Sequence, residues 1–240
     1  FTPYRHQENI TLFDTTDQSL AFGNLFALNR FTGADRIADS NQTSIVLTSR
    51  LLNKNWQEQA KASIGQIIYF AERKVGLEND VIDDSKVSDL FLDFAIKNYG
   101  WSFASTLQLD QESYQVNNAN SRLKWQDEKH NNALFFLNYA LFNGQSADPI
   151  DTVSLGAFTK ITPEWHLGLF HSANLNGNDY ARSQIGLSYR SCCWSTEIIA
   201  ERTQLENGLY NNGNQIHFEL NGLSTTNSGF KNNLTDKLDF

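Results

Sequence analysis

Apolar and polar residues alternate with a period of two along most of this 240-residue chain, in runs of about ten. That period sends successive side chains to opposite faces of an extended strand. The clearest run sets Trp101, Phe103, Ser105, Leu107 and Leu109 against Ser102, Ala104, Thr106, Gln108 and Asp110. A second sets Ile185, Leu187 and Tyr189 against Gln184, Gly186, Ser188 and Arg190. A third sets Ile216, Phe218 and Leu220 against Gln215, His217, Glu219 and Asn221. Less regular runs cover 42–52, 57–70, 86–97, 118–126, 131–142, 151–161, 164–172 and 193–203. With a strand expected near 20–30, the pattern predicts about twelve strands. Runs of about ten residues exceed the five or six of an ordinary soluble strand and match what a tilted strand needs to cross a bilayer.

The connections narrow the choice further. Short ones are expected near Asn53–Trp56, Asn98–Gly100, Gln126–His130, Thr162–Pro163 and Ser191–Cys192. Long, polar ones rich in Asn, Gly and Asp fall near 71–85, 111–117, 143–150, 173–179 and 204–213. The two kinds alternate, as they do in an outer-membrane barrel with short periplasmic turns and long outer loops. Trp101, Trp125, Trp165 and Trp194 lie near strand ends, where interfacial aromatics belong. The expected fold is therefore all-β, an antiparallel transmembrane outer-membrane β-barrel or a piece of one. A soluble sandwich or periplasmic jellyroll would share the alternation but has no reason to gather its long loops at one end.

Composition closes off other classes. A net charge of −8 and a pI near 5.1 argue against a nucleic-acid-binding surface. A mean hydropathy of −0.45 and the lack of a long apolar run exclude spanning helices but not a barrel, whose strands hide half their residues from lipid. The chain opens on Phe1 and contains no Met, so a processed chain, a domain or a fragment is expected. The five histidines are scattered, and His166 and His171 are spaced to project to opposite faces of a strand. No zinc-protease, phosphate-loop or nucleophile-elbow motif occurs, so no enzyme, cofactor or metal is expected. Asp83-Asp84 and the charged segment Lys124–His130 read as solvated loop residues.

Cys192 and Cys193 are the two cysteines of the chain, and they are adjacent. Neighbouring Cα atoms stand about 3.8 Å apart across a trans peptide, less than the roughly 4.4–6.8 Å of a relaxed disulfide. They are poor partners for each other, and if oxidised each reaches a cysteine outside these 240 residues. The plainer reading is two small, partly buried thiols. Their short turn would face the periplasm, where disulfides are chemically allowed.

Five ordered segments carry a family resemblance. They are Pro3-Tyr4-Arg5-His6-Gln7-Glu8-Asn9-Ile10, Gly33-Ala34-Asp35-Arg36-Ile37-Ala38-Asp39-Ser40-Asn41-Gln42 and Ile64-Gly65-Gln66-Ile67-Ile68-Tyr69-Phe70, followed by Ser191-Cys192-Cys193-Trp194 and Phe218-Glu219-Leu220-Asn221-Gly222-Leu223-Ser224. Together they resemble the LptD family, also called OstA or organic solvent tolerance protein. The resemblance runs from residue 3 to about 224. It implies that residues 1–240 are a C-terminal portion of a larger barrel, in the bacterial outer membrane, that inserts lipopolysaccharide into the outer leaflet by lateral opening at a seam. It also implies an LptE-like lipoprotein plug, an LptA-like periplasmic bridge reached through an N-terminal domain, and assembly by the barrel-assembly machinery.

By the same resemblance, Cys192 and Cys193 are linked to two cysteines near the N-terminus of the whole protein. The strand Gln215–Gly222 would be the last of the barrel, with Ile216, Phe218 and Leu220 facing lipid or departing acyl chains at the seam. Gln108, Gln184, Ser188, Arg190, His217 and Glu219 are expected to face a hydrated lumen. A passive outer-membrane channel and, at greater remove, a soluble β-rich periplasmic binding protein are the alternatives.

Overall fold

Each alternating run from residue 42 onward becomes a strand in the computed structural model. It describes the chain apart from residues 8–10, 17, 19–20, 34, 78–84, 128–132, 144–148, 177–180, 206–207 and 221–240. Of the segments singled out above, Glu8–Ile10, Ala34, Asp83-Asp84, Glu128–His130 and Asn221–Ser224 lie outside the described residues. The first six strands are β1 (Gln42–Leu52), β2 (Glu58–Tyr69), β3 (Leu90–Asn98), β4 (Trp101–Leu109), β5 (Val116–Asp127) and β6 (Ala133–Phe142). There follow β7 (Ile150–Lys160), β8 (Trp165–Asn174), β9 (Ala181–Arg190), β10 (Trp194–Gln204) and β11 (Tyr210–Leu220).

All eleven belong to one antiparallel sheet in the order β1 to β11, each strand beside its neighbours in the chain. The order is open, with β1 and β11 at its ends. Hairpin connectivity sends successive connections to opposite ends of the sheet. In the compact unit that holds β6–β11, the connections 161–164 and 191–193 belong to one end. The tightest connection is Tyr99–Gly100, where positive φ at both residues (46° and 81°) makes a turn whose twist matches its strands.

By packing, the chain divides into two compact units, Phe1–Ala95 with Ser105–Asn118, and Ile96–Ala104 with Ala119 onward. In the first, β1 and β2 pair along their length with a bulge at Leu51/Leu52. One face exposes Ile45, Leu47, Leu51 and Ile64. On the other, Leu25 packs with Ile67 and Phe91, bordered by Phe22, Val46 and Tyr69. Nearby, Gln108 and Asn117 both donate to one oxygen of Asp89, at 2.7 and 2.9 Å, and Asn118 donates to Gln108.

In the second unit the register runs unbroken across six strands, which fixes what lies beside what. One face carries the transverse row Phe135, Ala157, Leu169, Ile185, Ala200 and Asn214. The neighbouring row runs from Thr159 through Leu167, Leu187 and Ile198 to Ile216 and is apolar apart from Thr159. Leu169, Ile185 and Ile198 are 42–51% exposed, so this apolar band faces outward rather than into a core. Toward the short turns the band ends in an aromatic ladder of Trp165, Tyr189, Trp194 and Phe218, with successive ring centroids 5.0, 5.1 and 5.9 Å apart. An apolar belt edged by aromatics is the lipid-facing surface of a membrane strand sheet.

The opposite face is buried and mixed. Leu134, Phe136, Phe158, Phe170 and Ile199 form a cluster. On one side of it runs the row Lys160, His166, Ser188, Glu197 and His217. On the other, Glu201 is held by Arg182 at 2.8 Å and by Gln184 at 2.7 Å. Gly156 lies between Phe136 and Phe170 in the ladder, and a Cβ there would collide with the Phe136 ring.

Three expectations need correction. Lys124–Asp127, read as part of a charged, solvated turn, form the half-buried end of β5. Residues 20–30 do not form a twelfth strand. Among those described, Phe22–Asn24 is a 3₁₀ turn, with Asn24 and Ala27 N–H groups donating three residues back. Phe22 and Leu25, three apart, thereby reach the same side and pack onto the sheet. The last strand begins at Tyr210 rather than Gln215, so the preceding connection is 205–209 and not the long loop expected. Asn211, Asn212 and Asn214 disfavour strand on their own, but β10 pairs with them through Gln204.

Two outcomes follow for folded full-length protein in lipid vesicles. Ile198→Arg, at the centre of the band, should destabilise by about 2–4 kcal/mol and Asn212→Arg by about 0–1 kcal/mol, measured by denaturant titration. Equal costs would mean that the band does not sit in hydrocarbon. Gly156→Ala should cost about 1–3 kcal/mol through overpacking, and Phe136→Leu in the same chain should recover part of that.

Candidate functional site at the cysteine turn and the terminal strand

A three-residue connection, 191–193, joins β9 to β10. It is closed by the Ser191 N–H donating to the Trp194 carbonyl at 2.9 Å. Trp194 is anchored on both sides, by Tyr189 at 5.1 Å and Phe218 at 5.9 Å. Aromatic pairs of this kind contribute about 0.5–1.5 kcal/mol beyond area burial. The strand ends are thus rigid, and the two residues between them carry exposed thiols.

The Cys192 and Cys193 sulfurs are 2.7 Å apart. The two thiols share a hydrogen bond in which either sulfur can donate; that bond and one to the Ser191 side chain lower the Cys192 thiol below its usual range. Its bond to Cys192 raises the Cys193 thiol in turn. The contact therefore favours the thiolate at Cys192 over that at Cys193. Such a thiolate is the reactive form in disulfide exchange.

The second expected site, on β11, lies against the first. Cys193 is followed by Trp194, and the Cα partner of Trp194 is Leu220. Ile216, Phe218 and Leu220 are 74%, 65% and 44% exposed, all on the face of the apolar band. β11 pairs with β10 along its whole length, reinforced by the Thr196 hydroxyl donating to the His217 carbonyl at 3.1 Å. Sequence alone placed the cysteines and the last strand separately; the register brings them to one corner of the sheet.

Of the residues expected on a polar face, Gln184, Ser188, Arg190, His217 and Glu219 all lie opposite the apolar band. Gln108 is in the first unit's cluster with Asp89 and Asn118. His166 and His171 project to opposite faces, as their spacing requires. Sequence reasoning missed the group around Glu201, and also the polar row His171, Ser183, Arg202 and Asn212 that borders the apolar band. The spacing of those residues within any one strand is unremarkable, and only the register aligns them.

Comparison with known proteins was then informative. The family model described as "LptD: LPS transport system D" matches residues 1–165. The LPS-assembly protein LptD of Aeromonas hydrophila subsp. hydrophila is 28% identical over 98% of this chain and 31% of its own length. That of Pseudoalteromonas atlantica is 29% identical over 95% of this chain and 31% of its own. The Francisella tularensis subsp. tularensis protein of the same description is 28% identical over 93% and 30%. The chain therefore spans about a third of the length of the curated relatives it matches.

With both thiols reduced, iodoacetamide at about pH 7 should label Cys192 before Cys193, read by peptide fragmentation. Ser191→Ala should narrow the preference. Faster labelling of Cys193 would contradict the assigned order of ionisation.

Proposed function

The chain belongs to the LptD family, and on that premise we propose that it is wall and seam of an outer-membrane barrel that delivers lipopolysaccharide to the outer leaflet. The observation that carries the reading is the division of the second unit into an outward apolar band and a buried mixed face. An amphiphile in transit needs both environments side by side, with acyl chains against lipid and sugars in a hydrated interior.

In this reading β11 is the seam strand. Ile216, Phe218 and Leu220 guide acyl chains during lateral opening, while the polar face behind them, including His217 and Glu219, meets the lumen. Cys192 and Cys193 bond to cysteines elsewhere in the whole protein and fix a periplasmic domain to this corner. Their exposure and the lowered Cys192 thiol suit them to exchange with an incoming disulfide. An LptE-like lipoprotein would occupy the lumen, an LptA-like bridge would deliver lipopolysaccharide through the periplasmic domain, and the barrel-assembly machinery would insert the strands.

The test is replacement of the chromosomal copy by full-length protein carrying Cys192→Ser and Cys193→Ser together. The expected outcome is altered mobility on non-reducing gels and a severalfold fall in surface lipopolysaccharide. Unchanged mobility would remove the bridge from the reading. Steady, large ion conductance by purified wild-type protein would favour a passive channel instead.

A further inference from the structure

On the outward face of β7–β10, the band and the polar row meet in an open depression of about 470 Å³. Its base is Leu155, Leu169, Ile185 and Ala200, and His171 and Arg202 stand at its rim. Ala200 is short beside its cross-strand partner Ile185, which leaves room for the depression. We propose that it binds one acyl lipid of net negative charge from the surrounding leaflet, with an acyl chain along the base and a headgroup phosphate on Arg202.

Charge and position both select that occupant. Among the described residues Arg202 forms no ion pair, and its guanidinium lies over the Tyr210 ring at 3.8 Å from the centroid. Stacking uses the face of the guanidinium and leaves its in-plane N–H groups for a phosphate. His171 is steadied by a 2.9 Å hydrogen bond between Nδ1 and the Ser183 hydroxyl, and Asn212 stands opposite Arg202. The rim is thus rich in donors. Glu201 and Gln184 also border the depression, but the Glu201 carboxylate belongs to the other face, where it is bound by Arg182 and Gln184.

From Trp194 to Arg202 is about 26 Å of strand at about 3.3 Å per residue. A tilt of about 40° leaves roughly 20 Å between aromatic ladder and polar row, less than the roughly 25 Å apolar band of a typical barrel. A lone Arg at that depth is costly, and an anionic headgroup drawn to it removes the cost. The ladder at the opposite end of the band offers rings and no such cation, so the site belongs to the leaflet on the long-loop side.

Native mass spectrometry of the folded full-length protein, titrated with lipid A and separately with phosphatidylcholine, tests the proposal. Wild type should retain lipid A, and both Arg202→Glu and Ala200→Trp should lower retention about tenfold. The tryptophan variant keeps the charge and fills the depression, and heat-modifiable gel mobility reports folding of both variants. Unchanged retention in either folded variant, or equal retention of phosphatidylcholine by wild type, overturns the site. The inference rests on the outward face lying in lipid and not on export. Export without lipid A retention defeats this proposal alone, and retention without export defeats the export reading alone.

Discussion

Inside a bilayer a backbone N–H or C=O has no water to turn to, and leaving one unsatisfied costs several kcal/mol. That constraint governs the sheet. It favours a ladder in which each strand pairs with its chain neighbours, and the order β1 to β11 is such a ladder. Because the ladder is continuous through β6–β11, the register also fixes the height of every side chain. A slip of one residue in β10 would send Ile198 inward and Glu197 into lipid. The energetic gap between those two arrangements is what specifies the fold.

The same register explains the buried face. With no side chain at Gly156, Gly168 or Gly186, the rings of Phe136 and Phe170 and the Ile199 side chain can lie across the sheet. An apolar cluster then sits between the ionisable row through Glu197 and the Arg182–Glu201 pair. On this face the polar groups lie near others of their kind and away from the outward band. The Asp89–Gln108–Asn117 group does the same service in the first unit.

The strands from residue 42 onward were legible because alternation is a local signal that survives in one sequence. It failed where a different local rule won. Phe22 and Leu25 obey a three-residue spacing, and Asn24 stabilises the turn by accepting the Ala21 N–H at 2.6 Å. It failed again at Asn211, Asn212 and Asn214, whose strand conformation is imposed by β10. The cysteine turn was readable from the short connection. Its contact with β11 was not, since the Trp194–Leu220 pairing depends on register over residues with no local mark. The polar row through His171, Ser183 and Arg202 was hidden for the same reason.

At the end of the strand order, β11 has one ladder neighbour, β10, so in lipid its other edge needs strands from beyond the described residues. Joining or parting such an edge makes or breaks main-chain bonds, each far costlier to break in hydrocarbon than in water. The side chains then decide what can occupy the gap. Along its outward face β11 passes from Leu220, Phe218 and Ile216 to Asn214, Asn212 and Tyr210. Under the proposed reading, a departing lipid would therefore meet apolar contacts for its chains and amide donors for its headgroup on one strand. Arg202, the Cα partner of Asn212, adds a cation at the same level. On that reading, a single strand would match the amphiphile at two heights.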